Sequence, residues 1–291
     1  MDPREFEAFL AAKDRLSYLE AWLAARGVRG TRAKLGPATH FVVRFDRGRY
    51  RRGRPPRVFA AHYDRAPGTP GALDNSAACA VLARLAVTLA DDDASRFGRH
   101  GAVILFTDAE ELAEGGLVEQ GAFAIASAFA ERDEAPEVVV LDVAGRGDTV
   151  LVSESAVALA RERAARLGGS DETAAATEEL RARTLAALSE AGLRVLSAPL
   201  PYSDDLGFSA AGVPCVVLSV LPAAEADAYA AAVRARPPRR SDWTSIRAAA
   251  GPAFPPTWEL LHTPSDTADK VDPASLALVA RSLEALIQNA R

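Results

Sequence analysis

The chain alternates between short apolar runs and longer stretches in which apolar residues recur at helical spacing. Residues 3–27 carry Phe6, Phe9, Leu10, Leu16, Leu19, Trp22 and Leu23 at that spacing and stop at Gly27 and Gly30, which predicts one amphipathic helix. Thr39 to Phe45 and Arg57 to Ala61 read as strands, with Arg47 to Arg57 as a solvated hairpin between them. Ser76 to Leu89 returns to helical period. Val103-Ile-Leu-Phe-Thr-Asp-Ala-Glu-Glu111 is then a β-branched and apolar run ending in adjacent carboxylates. Such a run suits a strand in the middle of a parallel sheet, covered on both faces.

The rhythm continues with a helical stretch to about Ala130, a strand from Val138 to Val143 and another from Thr149 to Ser153. Residues 154–192 read as two helices broken near Gly168-Gly169. Leu193 to Ser197 is a short strand, Tyr202 to Phe208 a loop opening a helix, and Gly212 to Leu218 leads into a further strand. A last helix starts at Pro273. Strands alternating with helices predict an α/β domain, here spanning 1–291. Residues 222–256 break the pattern with six prolines and Trp243, with Trp258 just beyond. They read as an irregular insertion, a lid over a site or an oligomer contact, because long irregular segments tend to be functional.

Composition narrows the function classes. Of 291 residues, 49% are hydrophobic and 25% charged, an ordinary globular balance. Thirty-four Lys plus Arg against 39 Asp plus Glu give a net charge of −5, and no basic stripe interleaved with aromatics appears, so no nucleic-acid partner is expected. Met1-Asp-Pro-Arg-Glu is acidic and polar, unlike a secretory signal. No window reaches the ~18 uninterrupted apolar residues of a membrane span. Cys79 and Cys215 sit in apolar surroundings and read as buried thiols rather than a disulfide framework. These features lead us to expect a cytoplasmic protein with no membrane partner.

The candidate chemistry lies where strands end. Glu110 and Glu111 follow the central run, at the end where open α/β sheets place their sites. An isolated Glu-Glu pair is more often the acidic first turn of a helix, favoured by the helix dipole. Four other residues change that balance: His62 in Ala61-His-Tyr-Asp64, Asp74 at the mouth of a helix, Asp142 ending a strand, and His262 in Leu261-His-Thr-Pro-Ser-Asp266. His62 alone would be an ordinary core histidine, but Asp64 can orient its imidazole as groups behind metal ligands do. An acid interrupting a buried strand, as Asp142 does, is hard to explain by packing. Two imidazoles and three carboxylates suit zinc. One carboxylate bridging two ions, with a His and a terminal carboxylate on each, would give a paired site that activates a water. Glu110 is then spare, free to act as general base.

The order His-x-Asp, Gly-Ala-x-Asp-Asn, Glu-Glu, strand-Asp, Ser-Asp-x-x-x-Phe, His-Thr-Pro-x-Asp-Thr resembles metallopeptidase family 28 over residues 38–290. These are co-catalytic zinc exopeptidases, leucyl aminopeptidase-like and glutamate carboxypeptidase-like, with glutaminyl cyclases as close relatives. The resemblance implies a mixed, mostly parallel central sheet sandwiched by helices. It implies two Zn2+ per chain, His62 and Asp142 on one, Glu111 and His262 on the other, and Asp74 bridging. It also implies Glu110 as base, Asp64 supporting His62, and a peptide or small amide as substrate. Aminopeptidase is the leading reading, with carboxypeptidase and glutaminyl cyclase as alternatives. Three departures are expected beside the substrate pocket: Ala77-Ala78 after Asp74-Asn75-Ser76, Leu112 to Leu117 after the Glu pair, and Asp205 where a histidine is common.

Overall fold

The computed structural model describes residues 1–45, 57–91, 102–111, 120–131, 136–167 and 172–289. The strands, numbered in chain order, are β1 Thr31–Leu35, β2 Ala38–Arg44, β3 Arg57–His62, β4 Ala102–Thr107, β5 Glu137–Leu141, β6 Thr149–Ser153, β7 Val195–Ala198 and β8 Cys215–Leu221. They form one sheet in the order β1-β2-β4-β3-β5-β8-β6-β7. The central four, β4-β3-β5-β8, run parallel. Every residue of β3, β4 and β8 is buried, as continuous apolar runs with helices on both faces require. Antiparallel pairings occur at β1/β2, β2/β4 and β6/β8, so the sheet is mixed, with its parallel part in the middle.

The helices are α1 Pro3–Ala11, α2 Arg15–Ala24, α3 Ala77–Asp91, α4 Gly121–Glu131, α5 Ser155–Leu167, α6 Glu172–Glu190, α7 Asp205–Ala210, α8 Ala223–Ala235, α9 Trp243–Ala250 and α10 Pro273–Gln288. Alternation along β3 divides the core. Phe59 and Ala61 join Leu19, Leu82, Leu180 and Leu283 of α2, α3, α6 and α10 on one face. Val58 and Ala60 join Ala126, Phe208, Tyr229 and Ile246 of α4, α7, α8 and α9 on the other. The helical run Ala72–Asp91, which includes α3, is long and apolar enough to cross a bilayer by length and composition, yet most of it is buried in this core.

Four sequence expectations change. Residues 3–27 form two helices, because Asp14 leaves the helical pattern and caps α2 by accepting from Ser17 N at 2.9 Å. The polar strand β1 escaped the hydrophobic pattern because it is a solvent-facing edge. Thr39–Phe45 and Arg57–Ala61 are not hairpin partners, since β2 and β3 pair with opposite sides of β4. β3 is buried throughout and takes the central place, whereas β2 is only partly covered. Residues 222–256 are largely helical rather than irregular. Their prolines stand before α8, between α8 and α9, and after α9, where they bound helices instead of breaking them. Residues 46–56, where a solvated hairpin is expected, residues 112–119 and Gly168-Gly169 lie outside the described residues.

Candidate metal centre

Strands β4, β3 and β5 run in one direction, so their C-terminal ends open on one edge. His62 is the last residue of β3, Asp142 directly follows β5, and Glu110 and Glu111 lie just past β4. Asp74 sits in the tight turn Ala72–Ser76 that feeds α3, and His262 follows the short helical turn Trp258–Leu260. The three non-glycine residues of positive φ among the described residues all belong here: Ala109 at 62°, Val143 at 52° and His262 at 57°. Left-handed backbone is unfavourable for residues with a Cβ and concentrates at functional sites.

The five expected ligands and Glu110 converge. His62 Nε2 lies 3.1 Å from Asp74 Oδ1, 3.6 Å from Asp142 Oδ1 and 4.0 Å from Glu110 Oε2. His262 Nε2 lies 3.0 Å from Asp74 Oδ2 and 3.2 Å from Glu111 Oε2. Asp74 thus turns one oxygen to each imidazole. His62, Asp74 and Glu111 bring ligand atoms within 4.8 Å of one another. Zinc bonds of about 2.0–2.2 Å in a tetrahedron set neighbouring ligand atoms about 3.3–3.6 Å apart, close to these separations. Both ring nitrogens of His62, Glu111 Oε1 and Asp142 Oδ1 are buried without a hydrogen-bond partner among the described residues. Buried polar atoms need partners, and a cation held among these groups would supply them.

A second layer holds these groups. Asp64, 3.4 Å from His62 Nδ1, also accepts from Glu111 N at 2.9 Å and so links two of the clustered residues. Asp266 accepts from Leu73 N at 2.6 Å and Asp74 N at 3.2 Å, fixing the turn that presents Asp74. Asn75 Nδ2 donates to Leu141 O at 2.7 Å, tying that turn to β5. On the Glu110 side, Thr107 Oγ1 donates to the buried Asp204 at 2.5 Å. Asp266 and Asn75 were missed as positioning residues, although both stand inside recognised motifs.

A cavity of about 80 Å3 opens beside the cluster. Asp74, Glu110, Asp142 and His262 form its polar end, and Leu200, Tyr202, Val217, Trp243 and Trp258 its walls. The Trp243 ring stacks on the His262 imidazole at 6.2 Å and 18°. Phe254 backs both tryptophans edge-on, 5.3 and 5.7 Å away. No hydrophobic period singled out these aromatic residues, because the fold collects them from separate turns.

The sequence profile of peptidase family M28 matches residues 48–287. The chain belongs to this family. Structures similar to the M28 chain include the LapA aminopeptidase of Legionella pneumophila (TM-score 0.64, 16% identity, 98% of this chain and 70% of that one). LapB of the same organism superposes at 0.65 with 16% identity, over 99% and 70% of the two chains. A glutaminyl cyclase of Porphyromonas gingivalis superposes at 0.59 with 17% identity, over 97% and 94%. At such identities the likeness is one of fold. No curated protein matches the sequence.

Electrostatics set how the M28 site takes up a cation. Burial would lower the His62 pKa, but Glu110, Asp142, Asp64 and Asp74 together push it well above the ordinary value. His262 is raised to about 11, first by Asp74 and then by Glu111. Burial raises Glu110 well above the carboxylate range, reinforced by Asp142 and Glu111. With raised pKa values both imidazoles hold protons at neutral pH, whereas a metal ion takes only the unprotonated ring. Each displaced proton makes apparent affinity rise about tenfold per pH unit until the imidazole pKa is reached. Zinc affinity, measured by competition with a chromophoric chelator, should therefore climb steadily from pH 6 to 8. A flat profile would show that the two imidazoles are not the groups being metallated.

Proposed function

We propose that the chain is a two-zinc aminopeptidase that removes an amino-terminal residue from a peptide. The observation that carries this reading is Asp74, whose two oxygens face two histidines at 3.1 and 3.0 Å. His62 with Asp142 would hold one ion and His262 with Glu111 the other, Asp74 joining them. Held there, two such ions would polarise a scissile carbonyl and lower the pKa of a bound water. Glu110 then serves as general base. Its Oε2 stands 4.0 Å from His62 Nε2, beside the cluster, placed to take the water's proton and pass it to the departing amine nitrogen. Asp64 holds His62 in orientation. No Arg or Lys lines the described cavity, which disfavours gripping a free carboxylate and so a carboxypeptidase.

The cavity walls are apolar and aromatic, with Leu200, Val217, Tyr202, Trp243 and Trp258, which favours an uncharged first side chain. The fold likeness to a glutaminyl cyclase makes cyclisation of an amino-terminal glutamine the second reading. Peptides beginning with Leu, Val, Phe or Gln separate the two by mass spectrometry: an aminopeptidase shortens the chain, whereas a cyclase only releases ammonia from the glutamine peptide.

Elemental analysis after zinc reconstitution should give about two ions per chain, and a reproducible single ion would favour the cyclase. Glu111→Ala should lower zinc content and activity together. Glu110→Gln should keep fold and zinc but lose about 10²–10⁴-fold in kcat, because the proton moves only in the transition state. Near-normal turnover of a fully loaded Glu110→Gln protein would sink the mechanism.

Trp243 belongs to residues 222–256, which this reading gives the task of shaping access. Trp243→Ala should shift the ratio of kcat/KM for aromatic over branched aliphatic first residues by about tenfold or more, since a mis-sized methylene in a pocket is worth ~1–3 kcal/mol. An unchanged ranking in the zinc-loaded variant would reject that role.

A further inference from the structure

Arg15 is a cation buried where the hydrophobic pattern gives no reason for one. It is 6% exposed, at the start of α2, just past the break after α1. Its guanidinium lies over the Phe9 ring at 4.5 Å. One nitrogen donates to the Ser76 hydroxyl and another to the Asp64 carbonyl at 3.4 Å. Both partners are neutral, and burying a charge without a counter-charge is costly. The nearby anions are Asp64 and Asp74, whose charges work against the desolvation that lowers the Arg15 pKa to about 10. The guanidinium therefore stays charged at neutral pH, beneath the carboxylates that flank His62.

Its contacts reach two of the segments that build the centre. Asp64 stands two residues past His62, and Ser76 two past Asp74. Ser76 in turn donates to Gly71 O and closes the turn that carries Asp74. Gly71 has φ 68°, and a Cβ there would meet Asp74 O at 2.7 Å, so this turn has little freedom to shift. Arg65 adds a second strap from the same loop, donating to Leu10 O at 2.9 Å and Pro70 O at 3.1 Å. Helices α1 and α2 precede the residues that match the family profile, 48–287.

We propose that Arg15 is a positioning residue for the metal centre, by which the amino-terminal helix pair holds Asp64 and the Asp74 turn in register and offsets part of their charge. This rests on the metal reading of the site. Five carboxylates (Asp64, Asp74, Glu110, Glu111 and Asp142) surround His62 and His262. Two divalent ions neutralise four of those charges, and Arg15 is the next buried cation in contact with the same turn.

The test is zinc affinity of the full chain, by competition with a chromophoric chelator, together with the absorption spectrum of the cobalt-substituted protein. Arg15→Met keeps length and removes charge and donors. It should weaken at least one zinc by about 10–100-fold, the usual cost of losing a group behind a ligand, and alter the cobalt spectrum. Arg15→Lys restores the charge and should recover most of that affinity. An Arg15→Met protein of lower melting temperature but wild-type affinity and spectrum would make Arg15 a plain structural staple and overturn the proposal. If Arg15→Met does not fold, Ser76→Ala cuts the same link more gently. A several-fold affinity loss there supports the role, and wild-type affinity overturns it. A wild-type chain that takes up no metal would overturn the reading of the site itself, and this role with it.

Discussion

Like charges held out of water are the constraint on which this structure turns. Asp74, Asp142 and Glu110 crowd within 4.0 Å of one imidazole nitrogen that is itself buried. Left bare, such a group is costly, since burial penalises every ionised member and mutual repulsion adds to it. The molecule meets the problem with cations. In the metal-free state the imidazoles keep their protons and Asp74 is held low by His262 and His62 against its burial. A metal bound there would replace those protons with more charge. The same carboxylates that destabilise a bare site would then be what gives it affinity.

Holding them there takes backbone that the chain would not choose alone. Ala109, Val143 and His262 adopt left-handed φ without being glycine, at a cost of order 1–3 kcal/mol each. Each strained point is pinned nearby. Gly121 N donates to Ala109 O at 3.2 Å, Val220 N and Ser219 Oγ both donate to Val143 O at 3.1 Å, and the Trp243 ring covers His262. Gly121 is glycine for the same reason, since a Cβ there would fall 1.8 Å from Asp108 O. Strain and support meet on the segments that follow β4 and β5.

Local chemistry was legible in the sequence, and tertiary collection was not. β4 and β5 announced themselves by near-continuous apolar runs, and His62, Asp142 and the Glu pair stood out as polar residues that packing could not explain. The partners of those strands were less readable. A short link between β2 and β3 suggested a hairpin, but pairing was decided by which strand could bury both faces. The break at Asp14 was visible only as a capping residue inside an otherwise helical pattern. Prolines in residues 222–256 looked like disorder of pattern because they bound two helices closely spaced. Asp266 could have been found from its motif, whereas Trp243 could not, because nothing along the chain says it meets His262.

The departures from the family pattern separate once they are placed in space. Asp205 is fully buried, accepts from Ser203 N at 2.8 Å and does not line the described cavity. Burial raises it and its neighbour Asp204 to about 7, and Thr107 donates to Asp204. The carboxylate at 205 therefore alters the buried interior near Asp142 and Asp204, not the wall of the described cavity. Ala77 and Ala78 are likewise fully buried, and Ala77 packs where Gly145 approaches α3 too closely for a larger side chain. Trp243, Trp258 and Tyr202, outside the recognised motifs, do line that cavity. Charge holds the clustered carboxylates and imidazoles, whereas aromatic packing collected from α9 and its neighbouring turns shapes the wall beside them, so the wall can change without disturbing the cluster.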